Sequence, residues 1–339
     1  MRCPPSHLEL QPARTPFYAL ETIKSPEVEI LNAAFTPMHA DGSVNYNRVS
    51  YLFEHAIRTG ADGIFLNGTT GECMSLNLEE RCQLVERWTH NRNTSKRSRF
   101  KIVAHVGGTN LLEAAQMAEH AQQNGVDGIA MVPTFYFRPR NIAELIAQCS
   151  MVAAAAPETP FYYYNIPSLT GVTFPMIQLM EAAVKRIPNF AGLKNSHSDI
   201  VDYQHCLHFA GDQYALYWGM DETFLMVHAA GNRRYVGSTY NYMSSIYHKM
   251  LHARNSGNDA QAIQLQKEAD AIYRVILAFH GVTAGKEIMN FLGADCGPVR
   301  MPLQALAEQE RETLIAQLKK TSFFRHANDS QHVVVDMHQ

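Results

Sequence analysis

Lys194 is the side chain in this sequence best suited to covalent chemistry. It stands near the end of the apolar run Phe190-Ala-Gly-Leu-Lys-Asn-Ser196. An apolar run bounded by small polar residues predicts a buried strand. Burial disfavours the ammonium form of a lysine and lowers its pKa, and a neutral amine can attack a ketone to form a Schiff base. Because strand-end lysines more often reach water or pair with a carboxylate, the rest of the chain must decide between the two uses.

A tyrosine at the end of another predicted strand adds a proton carrier. Tyr162 and Tyr164 alternate with Tyr163, so they share one face, which we assign to the interior of the fold. A phenol near a lysine can carry a proton to the oxygen of a bound substrate. The alternative is a tyrosine that only packs, which is the commoner role in an aromatic strand.

The loop Gly68-Thr-Thr-Gly-Glu72 predicts an anion site. Its glycines allow a tight turn, and successive N–H groups together with the hydroxyls of Thr69 and Thr70 can form a nest for an anion. The loop lacks the G-x-x-x-x-G-K pattern of nucleotide-binding loops. We therefore expect a carboxylate as its ligand, with a loop whose hydroxyls only cap its own backbone as the alternative.

A second set of polar residues follows the ends of strands predicted later in the chain. In Gly219-Met-Asp-Glu222, the carboxylates of Asp221 and Glu222 either favour the dipole of a following helix or accept hydrogen bonds from a polyol. Ser196 and Ser238 place two hydroxyls at the same edge of the fold. These residues predict a site for a hydroxylated substrate.

The elements that must position these residues predict a (β/α)8 barrel. Eight strand-then-helix units occupy residues 28–255, and such alternation implies right-handed crossovers and a parallel sheet. Eight units over about 225 residues fit a closed barrel, whose functional loops follow the strands. One of its helices begins with a capping-box pattern at Asn77 and Glu80 and is predicted to reach about Trp88.

The two ends of the chain depart from this alternation. Residues 256–325 are predicted to form a C-terminal helical region, because helical patterns recur there without a strand. Residues 1–27 are expected to be a poorly ordered extension, and residues 326–339 a loose tail. The helices predicted after the barrel run from Ala260 to Phe279, from Thr283 to Leu292 and from Leu303 to Thr321.

Composition narrows the class of protein. The 339 residues carry a formal net charge of -3 with mixed signs, so no nucleic-acid surface is expected. Six cysteines without a C-x-x-C pattern indicate free thiols in a reducing compartment. The sequence contains no run of about 18 apolar residues, so no membrane span is predicted. No signal peptide is recognised either, and we therefore expect a cytoplasmic protein. The 16 histidines show no H-E-x-x-H-like spacing, so no metal is predicted, and His105 is expected to be structural.

Taken together, Lys194, Tyr164 and the 68–72 loop resemble the class I aldolase superfamily of dihydrodipicolinate synthase and N-acetylneuraminate lyase. The resemblance covers about residues 29–322 and is strongest to the lyase branch. Leu169 stands where the synthases carry an arginine that clamps a second carboxylate. The segments that resemble the lyases are Phe65–Glu72, Ala153–Pro157, Phe161–Gly171, Gly192–Lys194, Gly237–Tyr242 and Gly297–Leu303.

The resemblance implies a role for each matching residue. Lys194 is expected to form the Schiff base, Tyr164 to relay the proton, and Thr69 and Thr70 to bind the pyruvate carboxylate. Tyr136 matches a position that reaches a neighbouring subunit of a homotetramer. The residues expected to hold the hydroxylated tail of the sugar are Ser196, Gly219, Asp221, Glu222 and Ser238.

The implied reaction is the reversible cleavage of N-acetylneuraminate to N-acetylmannosamine and pyruvate, without a cofactor. Two alternatives stay open. One is an aldolase of the same chemistry acting on another 2-keto-3-deoxy sugar acid. The other is a barrel that binds a sugar acid without catalysis, because a fold alone does not define a function.

Overall fold

The computed structural model describes residues 28–95 and 99–327, and the structural statements below concern those residues. Eight parallel strands in them form a closed barrel in chain order, which confirms the predicted (β/α)8 fold. The strands are β1 (Glu29–Ala33), β2 (Gly63–Leu66), β3 (Lys101–His105), β4 (Gly128–Met131), β5 (Phe161–Asn165), β6 (Phe190–Asn195), β7 (Ala215–Trp218) and β8 (Arg234–Gly237).

Helices connect the strands and surround them. Within the described ranges they are α1 (Val49–Arg58), α2 (Leu78–Thr94), α3 (Leu111–Gln123), α4 (Ile142–Ala154), α5 (Pro167–Thr170), α6 (Met176–Arg186), α7 (Ile200–Ala210), α8 (Phe224–Ala229) and α9 (Tyr240–Asn255). Four more helices follow, namely α10 (Asp259–Ala278), α11 (Val282–Phe291), α12 (Glu308–Lys319) and α13 (Phe323–His326).

The strands of the barrel are buried on both faces, as parallel strands covered by helices must be. One face of β5 carries Tyr162 and Tyr164 into the barrel interior, where they join a cluster with Phe65 and Tyr217. Tyr163 belongs to the larger core between the strands and the helices. This arrangement confirms the predicted face assignment.

The register of β5, β6 and β7 brings the chemistry-bearing residues to one level. Tyr164 is the Cα partner of Lys194, which in turn pairs with Tyr217. Gly192 has φ +146°, and a Cβ there would collide with the backbone carbonyl of Ala215. A residue with a side chain would therefore push β6 away from β7 just two positions before the lysine.

Helix boundaries follow the prediction with specific differences. The capping box of α2 is present, since Asn77 accepts from the Glu80 N–H at 2.8 Å and Glu80 accepts from the Asn77 N–H at 3.0 Å. The helix continues past Trp88 to Thr94, because Arg92 anchors its last turn through a 2.6 Å ion pair with Asp127.

Three other differences lie near loops. The short helix α5 was not predicted; Pro167 begins it, and Gly171 ends it in the left-handed region. The helix predicted from Leu303 begins only at Glu308, where Glu310 caps the N–H of Ala307 at 2.8 Å. The helix expected to follow the Asp221 and Glu222 carboxylates is divided into a 3-10 turn, Asp221–Thr223, and α8.

The first two helices after the barrel, α10 and α11, lie at its carboxyl-end side. α10 contacts α9, α8 and the 3-10 turn at Asp221–Thr223. The division into a barrel over 28–255 and a helical region over 256–325 stays a prediction. The extension over 1–27 and residues 328–339 of the predicted tail lie outside the described residues.

Candidate active site

Lys194 lies at the carboxyl end of β6 with its side chain inside the barrel mouth. The residue is 4% exposed. Its Nζ lies 3.8 Å from the ring centroid of Phe65 and 4.0 Å from that of Tyr164. Burial lowers the pKa of Lys194 to about 7, and the nearby charge of Asp221 opposes this shift. About half of the amines are therefore neutral at pH 7, which gives the nucleophile that a Schiff base requires.

Tyr164 stands beside this amine and remains a neutral phenol. Its Oη is 3.3 Å from Oγ1 of Thr69. Burial raises the pKa of Tyr164 to about 12, although hydrogen bonds with Thr69 and Ser196 oppose the shift. A protonated phenol in contact with the lysine can donate to a substrate oxygen and exchange its proton through the hydroxyls of its neighbours.

The loop 68–72 is held rigidly at the same rim. Thr36 donates to the carbonyl of Gly71 at 2.7 Å. The backbone of Glu72 adopts a left-handed conformation, and its carboxylate forms a 2.7 Å ion pair with Lys286. The side chain of Glu72 is 0% exposed and that of Lys286 is 1% exposed. The backbone N–H of Arg300 donates to the other Glu72 oxygen at 2.7 Å. Glu72 is therefore the anchor of the loop, while Thr69 and Thr70 face the cavity.

His105 supports the loop from below, as a buried structural residue rather than a ligand. Its Nδ1 donates to the Asn67 carbonyl at 2.9 Å, while its Nε2 accepts from the Val132 N–H at 3.3 Å. These partners fix one neutral tautomer. Burial and the nearby guanidinium of Arg81 lower the pKa of His105 well below its usual value.

The adjacent carboxylates of Asp221 and Glu222 differ in burial and in their hydrogen-bond partners. Asp221 is 4% exposed, and its Oδ2 accepts from both the N–H and the hydroxyl of Thr239, at 3.0 and 2.6 Å. Glu222 is half-buried and lines the cavity together with Tyr273 of α10. Burial raises the pKa of both carboxyl groups. Glu222 keeps one buried oxygen, Oε2, without a protein partner, which leaves an acceptor for a ligand.

The structure brings nine of the ten predicted site residues to one cavity of about 280 Å³. They are Thr69, Thr70, Tyr164, Lys194, Ser196, Gly219, Asp221, Glu222 and Ser238. The tenth, Tyr136, lies apart on the loop after β4, 78% exposed and packed edge-on against Phe137.

Sequence reasoning missed a wall of this cavity. Ser168 comes from the unpredicted helix α5, and Tyr273 and Ile276 come from α10. The amphipathic pattern of α10 predicted a helix, but no motif marked these positions. A second, mostly apolar cavity of about 250 Å³ adjoins the first and shares Thr69 and Tyr164 with it.

Neither a metal centre nor a membrane-spanning helix is found in the described ranges. No cluster of three or more His, Cys, Asp or Glu side chains that could hold a metal ion occurs there. No helix among them is long and apolar enough to cross a membrane.

A closed parallel barrel whose rim holds a buried, partly neutral lysine beside a phenol and a threonine loop defines the class of Schiff-base aldolases. The model of the dihydrodipicolinate synthetase family matches residues 27–321, and the chain belongs to this family. The resemblance seen in the sequence is thereby confirmed.

Relatives and solved structures agree with this assignment. The chain is 38% identical over 299 residues to the N-acetylneuraminate lyase of Rattus norvegicus, covering 87% of this chain and 92% of the relative. The N-acetylneuraminate lyase of Proteus mirabilis superposes with a TM-score of 0.83 at 32% identity, covering 87% of this chain and 99% of that chain. The N-acetylneuraminate lyase of Aliivibrio salmonicida, also called a sialic acid aldolase, superposes with a TM-score of 0.84 at 30% identity, covering 88% of this chain and 98% of that chain.

Proposed function

We propose that this protein is a Schiff-base aldolase that cleaves N-acetylneuraminate reversibly to N-acetylmannosamine and pyruvate. The observation that carries the proposal is the amine of Lys194, buried against the ring of Tyr164 with a pKa of about 7. The relatives named N-acetylneuraminate lyase, which this chain matches over most of its length, support the choice of substrate.

The reaction begins when Nζ of Lys194 attacks the C2 ketone of the open-chain sugar acid, and water leaves as the iminium forms. The proton of the C4 hydroxyl passes to the oxygen of Tyr164 as the phenol gives its own proton to the substrate carboxylate, so Tyr164 acts as a proton relay and stays neutral. The C3–C4 bond breaks, its electron pair moves into the iminium, and N-acetylmannosamine departs. The resulting enamine takes a proton at C3, and hydrolysis releases pyruvate and the free lysine.

The remaining site residues bind and orient the substrate. Thr69 and Thr70 would hold the carboxylate and so fix the direction of the imine. The tail hydroxyls would meet Glu222, Ser196 and Ser238 at the other end of the cavity, with Asp221 and Gly219 shaping its floor. Because the iminium of Lys194 serves as the electron sink, we infer that no metal or cofactor takes part.

We further infer a homotetramer in the cytoplasm. The exposed aromatic pair Tyr136 and Phe137, 78% and 83% exposed, gives an apolar surface suited to contact with another subunit. The five described cysteines are free, which suits a reducing compartment.

The decisive experiment is reduction with borohydride in the presence of pyruvate, followed by peptide mapping. We expect one stable adduct on Lys194 and none in Lys194→Ala, which should also lose turnover. Lys185→Ala is the matched control, because Lys185 is an exposed lysine on α6. An unmodified Lys194 would leave the non-catalytic sugar-acid barrel as the better proposal.

Substrate choice needs its own comparison. We expect a higher kcat/KM for N-acetylneuraminate than for 2-keto-3-deoxygluconate. The reverse order, with the adduct on Lys194 intact, would favour the aldolase of another sugar acid.

A further inference from the structure

Helix α10, which lies outside the barrel, forms one wall of the cavity that holds Lys194. Tyr273, Ile276 and Leu277 of this helix line the cavity, as do Gly281 and Val282 beyond its end. These residues lie on the same side of the cavity as Glu222 and Ser238, near β7 and β8. The helix therefore borders the part of the site proposed for the sugar tail.

Gln266 of α10 fixes the backbone that carries Glu222. Its Nε2 donates to the carbonyl of Glu222, and its Oε1 accepts from the N–H of Leu225, both at 2.9 Å. A single amide side chain thus spans the 3-10 turn and the first turn of α8. Because one acceptor and one donor are used together, the turn has one preferred position relative to α10.

Tyr273 lies on the same cavity wall as the side chain of Glu222. It lies seven positions after Gln266, which is two helical turns, so both side chains project from one face of α10. Tyr273 and Glu222 line the same cavity, so the phenol hydroxyl and the carboxylate face the same space. The other carboxylate oxygen, Oε2, is buried with no protein partner. Glu222 therefore has an unpartnered acceptor for a ligand hydroxyl.

We propose that Gln266 and Tyr273 of α10 are specificity-determining positioning residues, which hold Glu222 ready for the far hydroxyls of a long sugar acid. This inference rests on the proposed function. The pyruvate end of the cavity is formed by Lys194, Tyr164 and Thr69, which come from the barrel and not from α10. α10 therefore selects the length of the substrate and leaves the chemistry of imine formation unchanged.

The test compares Tyr273→Phe and Gln266→Ala with wild-type enzyme. Tyr273→Phe keeps the ring and removes only the hydroxyl, so we expect KM for N-acetylneuraminate to rise roughly three- to tenfold. Gln266→Ala should raise KM at least as much, because it frees the backbone of the turn. The pyruvate concentration that half-saturates borohydride trapping should stay within about twofold in both variants, as should kcat/KM for 2-keto-3-deoxygluconate.

The matched controls are Tyr214→Phe and Gln264→Ala. The ring of Tyr214 packs against Phe190 and Phe209, and the exposed Gln264 donates to Glu268 one turn later in its own helix. Both controls should behave as wild type, and circular dichroism and thermal melting should show that all four variants fold.

Each result decides the matter. A selective loss with the nine-carbon substrate supports α10 as the specificity element. Variants equal to wild type overturn it, and so does an equal loss in pyruvate trapping, which would mean that α10 only supports the fold. Wild-type enzyme that forms no pyruvate adduct overturns the proposed function as well, whereas normal wild-type cleavage with unchanged variants overturns this inference alone.

Discussion

Replacing Lys194 with methionine should make the protein more stable at neutral pH while abolishing its chemistry. Methionine matches the length of lysine and carries no charge, so it fills the same space against Phe65 and Tyr164. The folded protein holds the lysine with a pKa of about 7, lowered from 10.5 by burial. Unfolding returns the amine to water, where it takes up a proton, and this proton uptake favours the unfolded chain.

The size of the effect follows from linkage. Between pH 7 and pH 10.5 the unfolded chain binds a proton that the folded chain does not, so the free energy of unfolding rises with pH in this window. Each unit of pKa difference is worth about 1.4 kcal/mol. The lysine therefore costs about 4 kcal/mol of stability at pH 7, about 2 kcal/mol at pH 9 and almost nothing above pH 10.5.

Chemical denaturation of wild type and Lys194→Met at pH 7, 8 and 9 measures this difference. We expect the variant to gain most at pH 7, with the gain shrinking steadily toward pH 9. Lys185→Met, at an exposed position of α6, should show no such trend. A Lys194→Met variant no more stable than wild type at pH 7 would refute the argument, because the amine would then not be held away from water.

Three further outcomes are expected. The rate of borohydride trapping with pyruvate should rise with pH up to about 7 and then level off, because Lys194 has a pKa of about 7; a tenfold rise per unit continuing to pH 9 would contradict this. Leu169→Arg should lower kcat/KM for N-acetylneuraminate, because it brings a charge to the apolar cavity beside Tyr164; an unchanged substrate profile would place Leu169 outside the site. Lys286→Met should lower the free energy of unfolding by about 3–5 kcal/mol, measured by chemical denaturation, because it leaves Glu72 buried without its partner. Adding Glu72→Gln to this variant should restore most of the lost stability. If Lys286→Met alone is as stable as wild type, the ion pair is dispensable.

Much of the site could be predicted because a parallel barrel turns order along the chain into position in space. Lys194, Tyr164 and Thr69 each follow a short apolar run, and the carboxyl ends of such runs meet at one rim. The period of two within β5 also gave the face of Tyr164. These inferences needed only local patterns and the closure of the barrel.

The contacts that hold the rim together could not be predicted in the same way. Glu72 and Lys286 are 214 positions apart, and no local pattern joins them. Asp221 looked like a second ligand for a polyol, yet Thr239 already satisfies one of its oxygens. Tyr273 reaches the cavity only because α10 packs on the turn that carries Glu222. Such pairings depend on how helices lie against the barrel, which a single sequence does not specify.

The low pKa of Lys194 and its cost in stability are one physical quantity seen from two sides. Burial leaves about half of the Lys194 amines neutral at pH 7, and the same burial lowers the free energy of unfolding, because the nitrogen is kept away from water in the folded state. Asp221 limits this lowering, because its nearby negative charge favours a positive nitrogen. The same charge would favour the iminium, which is also positive and stands at the same place. A more deeply buried site would increase the neutral fraction of the amine but would stabilise the iminium less. The distance between Lys194 and Asp221 therefore affects both the nucleophilicity of the amine and the stability of the iminium that it forms.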